Sequence, residues 1–341
     1  MMVSFRTEAP LKELYKDAFH IGAAVNPGTI ERQRSLLAYH FNSLTAENEM
    51  KFSSVHPKEE LYTFEDADII AAFAREHGMA LRGHTLVWHN QTPEWLFENK
   101  AGGLVERAVL LERLRAHIQT VVGRYKDVIY GWDVVNEVIS DDANDENAFL
   151  RPSKWLDIAG EDFIAKAFEF AHEADPQALL FYNDYNESNP HKRERIYRLV
   201  RSLLDQGVPI HGVGLQAHWN LYDPSLDDMR AAIERYAQLG LQLQLTELDV
   251  SVFRFDDRRT DLVHPTEEML ELQAERYESI FRLLYEYKEH ISAVTFWGAA
   301  DDYTWLDDFP VRGRKNWPFL FDESHRPKEA YQRVAQIAAP K

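Results

Sequence analysis

VIYGWDVVNE, at residues 128–137, is a short apolar run that ends in an amide and a carboxylate. QLQLTELD, at residues 242–249, repeats this pattern later in the chain and ends in acidic side chains. Short runs rich in Val, Ile and Leu are typical of parallel strands that are buried on both faces. The two stretches therefore indicate buried strands with polar residues at their carboxyl ends.

Further runs of this kind bring the total to eight, at 19–25, 41–45, 80–87, 128–135, 179–183, 212–216, 242–246 and 293–297. Longer amphipathic stretches lie between them, and their periodicity predicts helices over 66–77, 105–125, 225–239, 266–287 and 327–338. Gly78 is a suitable C-cap for the first of these helices, and Thr266 is a suitable N-cap for the fourth.

Eight strand–helix units predict a single α/β domain over residues 1–341, a (β/α)8 TIM barrel with extended loops after its strands. The structural alternative is an open, doubly wound sheet. Such a sheet normally carries a glycine-rich phosphate turn after an early strand, and the sequence has none. In a barrel the functional residues lie where the strands end and the loops begin, so these positions become the candidates for a site.

Charge and composition exclude several classes of protein. The chain has 38 basic and 56 acidic side chains, a net charge of −18, which disfavours nucleic acid and anionic membrane surfaces as partners. The absence of cysteine excludes disulfides, thiolate nucleophiles and Cys-ligated zinc. Residues 1–17 carry several charges and no apolar run of signal-peptide length, which predicts a cytoplasmic protein.

Polar side chains follow most of the predicted strands, in the segments TAENEMK (45–51), RGHTLVWH (82–89), WDVVNE (132–137) and TELDVS (246–251). Glu137 and Glu247 end the fourth and seventh predicted strands, three apart around a barrel, so their side chains face each other across its mouth. Cleavage of a glycosidic bond requires one acid to protonate the leaving oxygen and one carboxylate to meet the oxocarbenium-like centre. The pair therefore suggests a glycosidase.

Taken together and in this order, the four segments resemble those of glycoside hydrolase family 10, the endo-β-1,4-xylanases, over nearly the whole chain. The resemblance implies retaining hydrolysis of internal bonds in xylan or xylo-oligosaccharides through a covalent glycosyl-enzyme, with no cofactor and no metal. Glu137 matches the acid/base and Glu247 the nucleophile, with carboxyl groups roughly 5–5.5 Å apart. The missing secretion signal resembles the intracellular members. Leu248 is a departure, since Phe is common at this position.

The resemblance also assigns supporting and sugar-binding positions. His218 and Asp249 match the residues that hold the nucleophile, and Asn136 lies beside the acid, where its amide could hold the sugar 2-hydroxyl. The sugar-binding positions are, on the glycone side, Glu47, Asn48, Lys51, His84, Trp88 and Gln91; at the cleavage point, Trp297 and Trp305; and towards the leaving group, Asn183, Tyr185 and Gln216. Gln91 and Trp305 are expected to exclude glucose, because its exocyclic CH2OH would clash with them.

Three other functions stay open from the sequence. A cellulase-type retaining β-glycanase would use the same barrel and the same pair of glutamates. A zinc hydrolase is disfavoured because the chain has neither His-x-His after the first strand nor an HExxH motif. A non-catalytic xylo-oligosaccharide-binding protein would typically have lost one glutamate.

Three further residues are interpreted as supporting the site: His89, Asp133 and Asp184. The insertion 299–322 is predicted to shape the leaving-group side. The sequence does not define the oligomeric state.

Overall fold

The structure is a computed structural model and describes residues 9–142 and 149–338. The predicted domain limits at residues 1 and 341 lie outside these ranges. Within the described residues, no helix is both long enough and apolar enough to cross a membrane. The strands are β1 His20–Val25, β2 Ser43–Ala46, β3 Ala80–Val87, β4 Ile129–Asn136, β5 Leu179–Asp184, β6 Gly212–Leu215, β7 His218–Asn220, β8 Gln242–Ser251 and β9 Ile291–Phe296.

Helices alternate with the strands. They are α1 Leu11–Leu14, α2 Pro27–His40, α3 Phe52–Val55, α4 Glu65–His77, α5 Arg107–Tyr125, α6 Lys154–Ala159, α7 Asp162–Ala174, α8 Pro190–Asp205, α9 Leu226–Ala237, α10 Glu267–Glu286 and α11 Glu329–Ala338. Short 3-10 helices occur at Glu94–Leu96 and Trp305–Asp307.

The strands close into an eight-stranded parallel barrel. Strands β1 to β6 pair in chain order, β6 pairs with β8, β8 pairs with β9, and β9 returns to β1. Strand β7 lies outside this ring and pairs with the far end of β8, where His218 is opposite Asp249. The predicted (β/α)8 barrel is therefore confirmed.

Most predicted elements agree with the structure to within one to three residues at each end. Gly78 ends α4 in the left-handed conformation, with φ 62°, and the Thr266 side chain caps α10 by accepting from the Met269 N–H, as predicted. The main correction is β8, which continues to Ser251 instead of ending at 246. Its extension is held by β7, a short strand that the sequence pattern does not show.

Strand alternation brings polar side chains into the barrel interior. Arg82 and His84 are two residues apart on β3, so their side chains lie on the same face of the strand. The buried Arg82 donates to both carboxylate oxygens of Asp133 on β4, at 2.7 and 3.0 Å, and to the side-chain oxygen of Gln244 on β8, at 2.6 Å. This buried ion pair forms the polar floor below the mouth of the barrel.

Candidate active site

A cleft of about 790 Å³ opens at the carboxyl ends of the barrel strands. Both Glu137, directly after β4, and Glu247, within β8, line it. The side chains at this end come from strand termini and βα loops, where barrel enzymes place their functional groups. The cleft is therefore the candidate active site.

Both carboxylate oxygens of Glu137 accept hydrogen bonds from neutral donors. The indole N–H of Trp88 donates to Oε2 at 2.8 Å. The side-chain amides of Gln216 and Asn136 donate to Oε1 at 2.9 and 3.2 Å. These three contacts aim a largely buried carboxyl group into the cleft.

Glu247 is held by an amide on one oxygen and by an imidazole on the other. Asn183 donates to Oε1 at 2.8 Å, and His218 Nε2 lies 3.1 Å from Oε2. The other ring nitrogen of His218, Nδ1, lies 2.9 Å from the Asp249 carboxylate. Asp249 orients the imidazole, and the imidazole in turn orients Glu247.

The charges around Glu247 keep it ionised. Burial alone raises its pKa, but the charge of His84, the hydrogen bond and charge of His218 and the charge of Lys51 together lower the pKa below its usual value. Burial lowers the pKa of His218, yet Asp249 and Glu247 outweigh this and raise it to about 10. At neutral pH His218 is therefore an imidazolium that donates from both nitrogens, and Glu247 is a carboxylate.

A network of side-chain amides connects the two glutamates. The amide nitrogen of Asn183 donates to Glu247 and also to the Asn136 side-chain oxygen, at 2.9 Å. The same Asn136 oxygen accepts from Gln216 at 3.2 Å, while Gln216 and Asn136 both donate to Glu137. Because each amide is engaged on two sides, the relative placement of the two carboxylates is determined by β4, β5 and the end of β6.

His84 links the barrel floor to the cleft. Its Nδ1 lies 2.9 Å from Asp133 and 4.0 Å from Glu247. The ring edges of His84 and His218 both meet the Trp297 indole, at centroid distances of 5.3 and 6.3 Å and interplanar angles of 75° and 84°. Trp297 thus forms one wall of the cleft beside Glu247, packed between two imidazoles.

A second group of predicted residues forms one side of the cleft. Lys51 donates to the Asn48 side-chain oxygen at 2.9 Å and lies 4.8 Å from the centroid of the Trp88 ring. Gln91 donates to the same Asn48 oxygen at 3.3 Å. Burial lowers the pKa of Lys51, although surrounding glutamates oppose this effect. Glu47 is one of these glutamates, and its carboxylate accepts from the Asn26 amide at 3.1 Å and from the Tyr303 hydroxyl at 2.9 Å.

Trp305 continues the aromatic wall. Its indole N–H donates to Asp249 at 2.8 Å, and its ring packs on His218 at 4.9 Å. Phe309 stacks on Trp305 at 4.8 Å and 21°, and it is 46% exposed. The cleft therefore has an aromatic face formed by Trp297 and by the stacked pair Trp305 and Phe309, with His218 packed against both tryptophans. Aromatic rings are the type of surface on which the axial C–H groups of a sugar ring pack.

The structure brings the residues predicted from sequence together at this end of the barrel. Those that line the cleft are Lys51, His84, Trp88, Asn136, Glu137, Tyr185, Gln216, His218, Glu247, Trp297 and Trp305. Asn183 and Asp249 lie behind the carboxylates and contact them or their partners directly. Asn48 and Gln91 lie beside the cleft in the group around Lys51, and Glu47 is close enough for its charge to act on the pKa of Lys51.

Several residues of the site were missed by sequence reasoning. Arg151, Phe255, Arg258 and Phe309 line the cleft, as does His89, which the sequence interpretation assigned to loop support. All of these except His89 lie on long loops that show no strand or helix periodicity. Phe309 alone had a signal, because it lies in the insertion 299–322 that is predicted to shape the leaving-group side.

The fold is a closed (β/α)8 barrel, and its aromatic cleft holds two glutamates that are connected by hydrogen bonds through side-chain amides. This fold and this site together define a glycoside hydrolase. Within residues 9–142 and 149–338, no group of three or more His, Asp or Glu is placed to hold a metal ion. The model of glycosyl hydrolase family 10 matches residues 10–337, and the chain belongs to this family.

Individual relatives agree with the family. The chain is 59% identical over 329 residues to endo-1,4-beta-xylanase B of Paenibacillus barcinonensis, covering 96% of this chain and 98% of that protein. It is 59% identical over 327 residues to an endo-1,4-beta-xylanase of Geobacillus stearothermophilus, with coverage of 96% and 98%. The crystal structure of xylanase XynB from P. barcinonensis, complexed with a conduramine derivative, matches with a TM-score of 0.95 at 58% identity, covering 97% of this chain and 99% of that chain.

Proposed function

We propose that the protein is a retaining endo-1,4-β-xylanase that hydrolyses internal bonds of xylan or xylo-oligosaccharides by double displacement. The observation that carries this proposal is the unequal setting of the two glutamates in one cleft. Glu247 has the His218 imidazolium on one carboxylate oxygen and the charge of Lys51 nearby, whereas both carboxylate oxygens of Glu137 receive neutral indole and amide donors. Family membership and the endo-1,4-beta-xylanase relatives support the same activity.

In the first step, the Glu247 carboxylate attacks the anomeric carbon while Glu137 gives its proton to the leaving glycosidic oxygen. The bond from the anomeric carbon to that oxygen breaks, and an ester to Glu247 forms. His218 holds the attacking carboxylate through a hydrogen bond of 3.1 Å. The hydrogen bond from Asn183 to the other oxygen fixes the plane of the carboxylate.

In the second step, Glu137 acts as a base and removes a proton from water, which attacks the same anomeric carbon and releases Glu247. Glu247 has lost its negative charge in the ester, so Glu137 no longer has an anionic neighbour across the cleft. Two inversions restore the β-configuration. A carboxyl separation of roughly 5–5.5 Å is the distance expected for this mechanism.

For substrate selection, we propose that Trp297 supports the sugar at the cleavage point and that Lys51 and Asn48 bind hydroxyl groups on the glycone side. Trp305 and Gln91 would meet the exocyclic CH2OH of glucose, a group that xylose lacks. Discrimination would then come from steric exclusion more than from additional attraction. Tyr185, on the side of Glu137, would contact the departing sugar.

The test is incubation of the wild-type protein with β-1,4-xylohexaose and, in parallel, with cellohexaose. Internal cleavage of xylohexaose to mainly xylobiose, xylotriose and xylotetraose, with β-anomers formed first in proton NMR spectra, is expected. Faster turnover of cellohexaose would favour the cellulase-type alternative. Binding of xylohexaose without cleavage would favour a sugar-binding protein, and loss of activity in a chelator would contradict the two-carboxylate mechanism.

The His218 imidazolium is expected to shift the acid limb of the pH profile. Its charge and hydrogen bond help lower the pKa of Glu247, so His218→Asn raises that pKa. More Glu247 is then protonated at any given acidic pH, and the acid limb of kcat/KM moves to higher pH. The measurement is kcat/KM on 4-nitrophenyl β-xylobioside from pH 4 to 9.

His290→Asn is the control for this prediction, because His290 is an exposed residue directly before β9, at the opposite end of the barrel. Its profile is expected to overlay that of the wild type. An unchanged acid limb in His218→Asn, even with a lower plateau, would show that His218 does not control the ionisation of Glu247.

A further inference from the structure

The backbone of Glu137 has a conformation that a glutamate rarely adopts. Its φ is 58°, in the left-handed region. A residue with a side chain adopts this conformation only at a cost in free energy, so the surroundings must hold it in place. The conformation occurs directly after β4 ends at Asn136, and it turns the glutamate side chain into the cleft.

Two contacts hold this peptide from opposite sides. The N–H of Glu137 donates to the carbonyl oxygen of Asn183 on the neighbouring strand β5, at 2.9 Å. The carbonyl oxygen of Glu137 accepts from the guanidinium Nε of Arg151, at 3.0 Å. The first contact continues the pairing of β4 with β5, whereas the second comes from a side chain of the following loop.

Arg151 is itself held in place. Its own N–H donates to the carbonyl oxygen of Val138 at 2.7 Å, which ties the loop back to the chain beside Glu137. One terminal nitrogen of its guanidinium donates to Asp141 at 2.7 Å and to the Tyr185 hydroxyl at 2.8 Å. Asp141 also accepts from Lys192 at 2.6 Å, so the carboxylate that orients Arg151 is fixed as well.

The guanidinium therefore connects the acid/base to the wall of the leaving-group side. Arg151 and Tyr185 both line the cleft with Glu137. The Glu137 side chain has its own partners in Trp88 and Gln216, but these control the carboxyl group and not the peptide that carries it. A shift of the peptide would move the carboxyl group relative to the leaving oxygen.

We propose that Arg151 is a positioning residue for proton transfer, which holds the Glu137 backbone so that its carboxyl group meets the leaving glycosidic oxygen. This proposal rests on the proposed function, in which Glu137 is the acid/base. Loss of Arg151 then affects proton donation and leaves nucleophilic attack by Glu247 intact. The decrease in rate caused by losing Arg151 must therefore depend on how strongly the leaving group requires protonation.

The experiment uses aryl β-xylobiosides whose leaving groups are 2,4-dinitrophenol, 4-nitrophenol and phenol. These have similar size but increasing pKa, so the need for an acid rises along the series. Arg151→Gln, Arg151→Lys and Glu137→Ala are compared with the wild type. The readout is kcat/KM, because it reports formation of the glycosyl-enzyme alone.

The matched control is Arg107→Gln. Arg107 also donates through Nε to a backbone carbonyl, that of Ala159 at 3.1 Å, and through a terminal nitrogen to a carboxylate, that of Asp162 at 2.5 Å. It does not line the cleft. A general cost of removing such an arginine would therefore appear in both variants, and melting temperatures of all variants verify that each is folded.

In Arg151→Gln, kcat/KM is expected to stay within about threefold of the wild type for dinitrophenol and to fall by about 10- to 100-fold for phenol. Arg151→Lys should recover part of this loss, and Arg107→Gln should follow the wild type throughout. An equal decrease with all three leaving groups, or no decrease, would overturn the proposal. If Glu137→Ala also showed no dependence on the leaving group, the acid/base role of Glu137 would be wrong instead.

Discussion

Replacing Glu247 by alanine is expected to abolish turnover of xylo-oligosaccharides, with kcat falling by on the order of 10⁵-fold, as for removal of a covalent nucleophile. The loss has two causes. No carboxylate is left to form the ester, and the anionic charge that stabilises the oxocarbenium-like centre is gone. His218 and Lys51 also each lose one counter-charge, which makes the cleft more cationic at the point where positive charge develops.

This loss should be independent of the leaving group. Dinitrophenyl β-xylobioside needs no acid, yet it is expected to be as poor a substrate for Glu247→Ala as xylohexaose. The measurement is turnover of both substrates over several days, with Glu247→Gln as the variant of equal size. Substantial activity of either variant would remove Glu247 from the mechanism.

Glu187→Gln provides the control for removing a buried carboxylate. Glu187 is as buried as Glu247, but its side chain accepts from the Trp219 indole at 3.0 Å and does not line the cleft. Because Gln retains an oxygen that can accept this hydrogen bond, Glu187→Gln is expected to remain active. A loss as large as that in Glu247→Ala would mean that burial of charge, and not nucleophilicity, explains both results.

Glu137→Ala has the second largest expected effect, and it is selective. Turnover of xylohexaose is expected to fall by about 10²- to 10⁴-fold, the usual contribution of a general acid or base. Formation of the glycosyl-enzyme from dinitrophenyl β-xylobioside should continue, because this leaving group departs without a proton. The glycosyl-enzyme then accumulates, because no base is left to activate the water that hydrolyses it. An initial burst of dinitrophenol is therefore expected.

Added azide distinguishes this explanation from general damage to the cleft. Azide needs no base, so it should react with the accumulated glycosyl-enzyme, restore turnover of the dinitrophenyl substrate and produce the β-xylobiosyl azide. The product is identified by NMR. An α-configured azide, or no acceleration by azide, would contradict the assignment of Glu137 as acid/base in a retaining mechanism.

The sequence predicted the fold well where the signal is local. Strand β3 and the caps at Gly78 and Thr266 agree with the structure because apolar patterning and capping depend on residues close together in the chain. Strand β7 was missed because three residues are too few to show a pattern. It pairs with the extended end of β8, and this contact between segments distant in the chain forms only in the folded protein.

For the site, the sequence identified most of the residues but not the hydrogen bonds and charges that surround them. The glutamates and most cleft residues follow strands, so their position in the barrel follows from the order of the strands. Arg151 carries no such signal, since its contact with Glu137 arises from the path of a loop. The cytoplasmic location stays a prediction, and cell fractionation would test it.

The sequence by itself determined the barrel and the two glutamates that face its mouth, because strand length, apolar pattern and the residue after each strand are local properties of the chain. Tertiary structure alone decided how these two glutamates differ. Trp88, 49 positions before Glu137, and His218, 29 positions before Glu247, reach the carboxylates only after the barrel has closed. The pKa of a carboxyl group depends on all the groups that lie near it in space, and the order of residues along the chain does not show which groups these are.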